Sequence, residues 1–160
     1  MAEETGLELY ARTARRSAAL VIHDYSTSFG LASRLLAPRV RWQIAAIYGV
    51  VRLADEVVDG PAHAAGVPAD ERRRMLDALE QEVEASLTRR FSTNLLVHAF
   101  QDAARVASFG PELTRPFFAS MRRDLDPVDL TDEAELDEYV YGSAEVVGLM
   151  CLAAFVSDAP

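Results

Sequence analysis

The chain has 160 residues, of which 50% are hydrophobic and 26% are charged, with a net charge of -9 and a pI near 4.8. This length and apolar content are enough to bury one core, so a largely disordered chain is excluded. The acidic balance and the scattered arginines also exclude nucleic acid as the main partner.

Cysteine content and the first residues indicate where the protein works. The one cysteine, Cys151, lies in an apolar stretch and is interpreted as a small buried hydrophobe, which excludes an internal disulfide framework. The segment from Met1 to Glu4 is acidic where a signal peptide is basic, and no run of eighteen apolar residues lacks a charge. We therefore expect a cytoplasmic protein without a membrane span, in which any membrane contact is peripheral.

Helical periodicity recurs along the first third of the chain, and no strand pattern is convincing. Apolar spacing predicts helices over residues 7–22 and 24–36. A long helix should begin at Pro38, which is tolerated in a first turn, and end at Asp59. Gly60 and Pro61 end that helix, and residues 60–68 are predicted to form a surface loop.

The remainder of the chain continues the helical pattern. Further helices are predicted over residues 69–90, 92–107, 113–125 and 132–156. Ser92 is expected to be the N-cap of the second of these. Asp132 and Glu135 form a capping-box pattern at the start of the last. The predicted fold class is all-α, in a single domain.

The most informative segment is the end of the helix predicted from Pro38 to Asp59. Tyr48, Arg52, Asp55 and Asp59 fall on one helical stripe, and residues 42–54 are apolar on every side of the helix. The carboxylates should therefore face inward. An ionised carboxylate removed from water is costly unless it is paired or binds a metal, so the stripe indicates a partner, inferred to be a magnesium-bound diphosphate.

A simpler interpretation of the same stripe remains open. Arg52 could pair with Asp55 or Glu56 on a partly exposed helix end, which would contribute only a fraction of a kcal/mol. A D-x-x-x-D pair alone would favour that interpretation, and only the expected burial favours a ligand.

The last predicted helix contains a second unusual segment. Tyr141, Glu145 and Gly148 share one line, next to small residues that lower helix propensity. Either a bulky ligand approaches closely there, or neighbouring helices pack tightly. For Tyr141, the commoner situation is a core tyrosine whose hydroxyl is hydrogen-bonded to another helix.

Four segments together resemble the squalene/phytoene synthase family. They are YSTSFGLASRLL (25–36), AIYGVVRLADEVVD (46–59), MRRDLD (121–126) and YVYGSAEVVGLM (139–150). The resemblance implies an isoprenoid synthase helical bundle, of which this chain is similar to the N-terminal half. It also implies magnesium-dependent head-to-head condensation of two prenyl diphosphates through a cyclopropylcarbinyl diphosphate. The reaction that the resemblance favours is phytoene formation from geranylgeranyl diphosphate. Squalene or dehydrosqualene formation from farnesyl diphosphate is the close alternative.

The resemblance also implies residue roles. Asp55 and Asp59 would hold magnesium, and Arg52 and Tyr48 would face the diphosphate. The substrate-lining positions would be Tyr25, Ser26, Thr27 and Ser28 at the diphosphate end and Phe29, Tyr141, Val147 and Gly148 along the prenyl channel. An aromatic channel suits the chemistry, because an allylic carbocation is stabilised by ring faces and must be shielded from water.

The chain departs from the family pattern in two ways. The family carries a second aspartate-rich helix, but residues 1–160 hold a single D-x-x-x-D pair. We therefore expect the domain to be incomplete, and to require a second helical chain or to self-associate. A non-catalytic helical module that binds a partner chain or a lipid diphosphate without turnover is the alternative function. The second departure concerns two side chains. Glu56 stands where many members have aspartate, and Glu145 stands where many have glycine.

Overall fold

A computed structural model describes residues 4–33, 35–126 and 132–157, except for the side chains of residues 27–29. The helices are α1 (Gly6–Tyr25), α2 (Thr27–Ser33), α3 (Pro38–Val58), α4 (Pro61–Ala64), α5 (Ala69–Arg89), α6 (Leu95–Ala107), α7 (Pro111–Leu125), α8 (Glu133–Val140) and α9 (Val146–Val156). A π turn, Tyr141–Glu145, joins α8 to α9. The described residues contain no strand, and the all-α prediction is confirmed.

Helix α3 lies at the centre of the fold. It packs against α1, α5, α6, α7 and α9, and its buried positions point in several directions around the helix. The expectation that residues 42–54 are enclosed on all sides is largely met, although Trp42, Tyr48 and Val51 are only partly buried. The short helix α4 also contacts α3, so six of the described helices surround α3 and its C-terminal side chains lie in close-packed surroundings.

The predicted N-cap of α6 is wrong. Asn94, not Ser92, caps this helix, and its side-chain oxygen accepts a hydrogen bond from the Leu96 N–H at 3.0 Å. Ser92 is buried, and its carbonyl accepts a hydrogen bond from the Tyr10 hydroxyl at 3.0 Å. This contact joins the segment to α1 and leaves Ser92 before the helix.

Other predicted boundaries agree more closely. The Asp132 side chain accepts a hydrogen bond from the Glu135 N–H at 2.8 Å, as expected of the cap. The loop predicted over 60–68 contains the short helix α4, which has Pro61 in its first turn. A proline there is favourable because its missing N–H would have had no partner.

One described segment, Glu133–Val156, is long and apolar enough to cross a membrane, with a mean hydropathy of 1.6. Core helices of soluble proteins pass the same test. Within this segment, α9 buries Val146, Met150 and Ala154 against the core. The absence of a membrane span, like the cytoplasmic location, stays a prediction.

Candidate functional site

Three aspartates from two helices form an acidic cluster, defined here as Asp55, Asp59 and Asp124. Asp55 lies in the last turn of α3, Asp59 is the C-cap of that helix, and Asp124 lies in the last turn of α7. Burial raises the pKa of Asp55 to about 6; the charge of Arg52 opposes this, and the other two aspartates and Glu56 add to it. Asp55 is partly buried but Asp59 is exposed, so the inward orientation predicted for both carboxylates holds for Asp55 only.

Tyr139 of α8 completes this group. Its hydroxyl donates a hydrogen bond to Asp124 Oδ1 at 2.7 Å. Burial raises the pKa of Asp124, and the hydrogen bond from Tyr139 acts in the opposite direction. The same hydrogen bond raises the pKa of the Tyr139 hydroxyl. The sequence had included Asp124 and Tyr139 in family-like segments without a role for either, and nothing local in the sequence shows that they meet the acid pair.

Arg52 is oriented by an acid and an aromatic ring. It forms an ion pair with Glu56, and its guanidinium carbon lies 4.5 Å from the centroid of the Tyr25 ring. The pairing with Glu56 that the simpler interpretation allowed is therefore present. A Cβ on Gly60 would lie 2.6 Å from Glu56 Oε2, so a larger residue there would require the Glu56 side chain to shift. Apart from this ion pair, the buried carboxylate oxygens of Glu56 have no hydrogen-bond partner among the described residues.

The oxygen donors of the cluster fit a partial magnesium site. Within the described ranges, no group of three or more His, Cys, Asp or Glu side chains is arranged to hold a metal by itself. Magnesium, however, is commonly bound by one or two carboxylates together with water and substrate phosphates. Asp55 and Asp59 are the candidate pair of carboxylates here, and Arg52 of the same helix forms its ion pair with Glu56.

Comparison with known proteins places this chain in a family. The family model for squalene/phytoene synthase matches residues 22–160. The chain belongs to the squalene/phytoene synthase family. The resemblance seen in the four sequence segments is thereby confirmed.

Individual relatives show how much of the family fold is covered. Phytoene synthase 3 of Zea mays is 35% identical over 132 residues, which are 81% of this chain and 29% of that protein. The 15-cis-phytoene synthase of Synechocystis sp. is 32% identical over 138 residues, which are 86% of this chain and 39% of that protein. The chain thus spans well under half the length of these relatives.

A solved structure supports the fold itself. A crystal structure of a dehydrosqualene synthase in complex with ligand matches 90% of this chain and 48% of its own chain, with a TM-score of 0.77 and 22% identity. The predicted isoprenoid synthase architecture is therefore confirmed, with the described helices covering about half of that structure.

The family resemblance also assigned residues at the start of the fold. Tyr25 ends α1 beside Arg52, and Ser26 is the C-cap of α1, so both lie at the junction with α2. The side chains of Thr27, Ser28 and Phe29 lie outside the described residues. Tyr48 is partly buried on α3 and packs against the core.

The remaining assigned residues surround the π turn. Tyr141 lines a groove with α7 side chains that include Arg115 and Arg123, whereas Tyr139 faces the acidic cluster. Val147 is partly buried against the core. The prenyl-channel roles of Tyr141 and Val147 stay predictions.

Two glycines of this region, Gly142 and Gly148, test whether the small residues serve tight helix packing or the close approach of a ligand. A Cβ on Gly142 would collide with the Pro116 carbonyl and the Ser120 hydroxyl, so tight helix packing explains that glycine. A Cβ on Gly148 would meet no described atom within 4 Å. Packing therefore does not explain Gly148, and its channel role stays a prediction.

Proposed function

We propose that this chain supplies the first acid-bearing part of a magnesium-dependent prenyltransferase of the squalene/phytoene synthase type. The reaction would join two prenyl diphosphates head to head through a cyclopropylcarbinyl diphosphate. Phytoene formation from geranylgeranyl diphosphate is favoured, since relatives at 32% to 35% identity are named phytoene synthases. The observation that carries the proposal is the partly buried Asp55 at the end of α3, with Asp59 at the C-cap of the same helix and Asp124 of α7 close enough to add their charges.

In this proposal the two aspartates of α3 act together. Asp55 and Asp59 would hold magnesium, which when bound neutralises the negative charge of a leaving diphosphate. Metal binding would also offset the burial and the repulsion among carboxylates that together raise the pKa of Asp55. Like charges are held together here at a cost to the folded state, which is typical of functional sites.

Arg52 and Tyr48 would face the diphosphate from the same helix. Arg52 carries a planar guanidinium whose donors match phosphate oxygens. Its position over Tyr25 and beside Glu56 restricts its motion before the substrate arrives. Restricting a binding group in advance lowers the entropy lost on binding.

The organic part of the substrate needs a dry, apolar channel. Phe29 and Tyr141, together with Val147 and Gly148, are proposed to line it, and Tyr48 would present an aromatic face near the diphosphate end. Aromatic faces attract a carbocation, and exclusion of water prevents its premature capture.

Catalysis is proposed to require a second acid-bearing helix from a segment or chain outside residues 1–160. The outward side of α9 is apolar, with Leu152 and Phe155 55% and 47% exposed. Such a surface favours association with another apolar surface, either a second helical chain or another copy of this one.

The direct test is turnover in the presence and absence of a partner. The purified chain is incubated with magnesium and either geranylgeranyl or farnesyl diphosphate, alone and with the product of the adjoining reading frame, and products are identified by mass spectrometry. Phytoene that disappears with Asp55→Asn or with EDTA supports the proposal. Squalene or dehydrosqualene supports the farnesyl alternative, and magnesium-dependent binding without any product supports a non-catalytic module.

A further inference from the structure

The first turns of α5 carry three consecutive arginines with different partners. Arg72 Nη1 donates a hydrogen bond to the carbonyl oxygen of Val58 at 2.6 Å. Arg73 forms an ion pair with Asp126, two residues after Asp124. Among the described residues, Arg74 bonds within its own helix, to Asp70 at 3.1 Å and to Glu71. Two of the three arginines therefore join α5 to the helix ends that carry the acidic cluster.

The contact made by Arg72 satisfies a specific need of α3. The last four carbonyls of a helix have no partner within the helix, and the negative end of the helix dipole lies there. The last turn of α3 contains no basic residue. A guanidinium from another element therefore supplies both a hydrogen-bond donor and a positive charge where α3 lacks them.

The position of the bonded carbonyl links this contact to the site. Val58 is the last residue of α3 and is 4% exposed, and Asp59 follows it directly. Asp55 lies in the same turn, because the Asp59 N–H bonds to the Asp55 carbonyl at 2.9 Å. Fraying of this one turn would move both carboxylates of the D-x-x-x-D pair.

We infer that Arg72 is a positioning residue for the acid pair. Its hydrogen bond to Val58 holds the last turn of α3 closed, and so keeps the Asp55 and Asp59 carboxylates in register for a cation and a diphosphate. The identity of the ligand in this inference rests on the proposed function. The effect of Arg72 on the end of α3 does not depend on that function. The parallel pair of Arg73 with Asp126 is exposed and screened by solvent, and should contribute less.

The test compares Arg72→Met with Arg74→Met, which removes the neighbouring charge without touching α3. Amide hydrogen exchange across residues 55–60 reports the helix end, and calorimetric titration with inorganic diphosphate and magnesium reports the site. We expect Arg72→Met to speed exchange and weaken binding by about tenfold each, the factor set by losing one charge-assisted hydrogen bond. Arg74→Met should match the wild type, and Arg72→Lys should recover part of both effects, because lysine can still donate to the carbonyl.

The possible outcomes support or overturn the positioning role of Arg72. Equal exchange and equal binding in Arg72→Met and Arg74→Met would overturn the inference. If Arg72→Met does not fold by circular dichroism, the folded Arg72→Gln variant, which is shorter and lacks the charge, is compared instead, and unchanged exchange in Arg72→Gln would overturn the inference. If the wild type binds no diphosphate, or Asp55→Asn binds as well as the wild type, the proposed function fails, while the exchange data still decide whether Arg72 holds the end of α3.

Discussion

Replacing Asp55 by asparagine should stabilise the protein while removing its proposed ligand site. Asp55 has a pKa of about 6 in the fold against an ordinary value of 3.8. Ionising Asp55 therefore costs more free energy in the folded state than in the unfolded chain, and at neutral pH this cost lowers stability. Since a tenfold change in an equilibrium constant is about 1.36 kcal/mol, the full shift corresponds to about 3 kcal/mol. Asp55 is partly exposed and solvent screens its charge, so we expect a gain of about 1 to 2 kcal/mol in the free energy of unfolding at pH 7.

The sign of this effect sets its pH dependence. The folded state binds the Asp55 proton more tightly than the unfolded chain, so the wild type loses stability as pH rises from about 4 to about 6. The Asp55→Asn variant lacks this loss. Its advantage should therefore be full above about pH 6 and absent below about pH 4.

Urea unfolding at pH 4 and pH 7 measures this difference, with Asp137→Asn as a control because Asp137 is an exposed carboxylate on α8. In parallel, titration with magnesium and a prenyl diphosphate should show weaker binding by Asp55→Asn than by the wild type. The reasoning is refuted if the Asp55→Asn variant is no more stable than Asp137→Asn at pH 7, or if its advantage is as large at pH 4.

Four further predictions follow from the same structure. Asp59→Asn should weaken magnesium-dependent prenyl diphosphate binding without changing helix content by circular dichroism; unaltered binding would exclude Asp59 as a metal ligand. Gly142→Ala should destabilise the fold by about 1 to 3 kcal/mol through overpacking, and Gly148→Ala should be nearly neutral; equal melting temperatures would contradict this. Residues 1–160 alone should bind a hydrophobic dye or self-associate, because the outer side of α9 is apolar; a cooperative monomer without dye binding would be inconsistent with that expectation. The same residues alone should yield no phytoene or squalene, because one acid pair cannot stabilise both sides of a departing diphosphate; detection of product by mass spectrometry would disprove this.

Pattern in the sequence determined the helices and the acid pair. Helical periodicity and the spacing of Asp55 and Asp59 are local properties, since residues four apart share a helix face whatever lies around them. The family resemblance, confirmed over residues 22–160, added the architecture and the assigned roles. The exposure of Asp59 was not predicted, because the depth of a helix end depends on which neighbours cover it.

Contacts between distant segments decided the rest. Asn94 caps α6, and Ser92, which was predicted to be the cap, instead accepts a hydrogen bond through its carbonyl from Tyr10, 82 residues away. Tyr139 meets Asp124 because the π turn that follows α8 packs against α7 and brings the end of α8 next to it.

The π turn likewise belongs to tertiary structure. It lies where Gly142 packs against the Pro116 carbonyl of α7, and it changes the helical phase between Tyr141 and Gly148. Periodicity in a sequence assumes a constant number of residues per turn, and so it cannot place side chains across such an interruption. The sequence alone therefore determined which residues share a helix, and the packing of α3, α7 and α8 decided which of them meet at the acidic cluster.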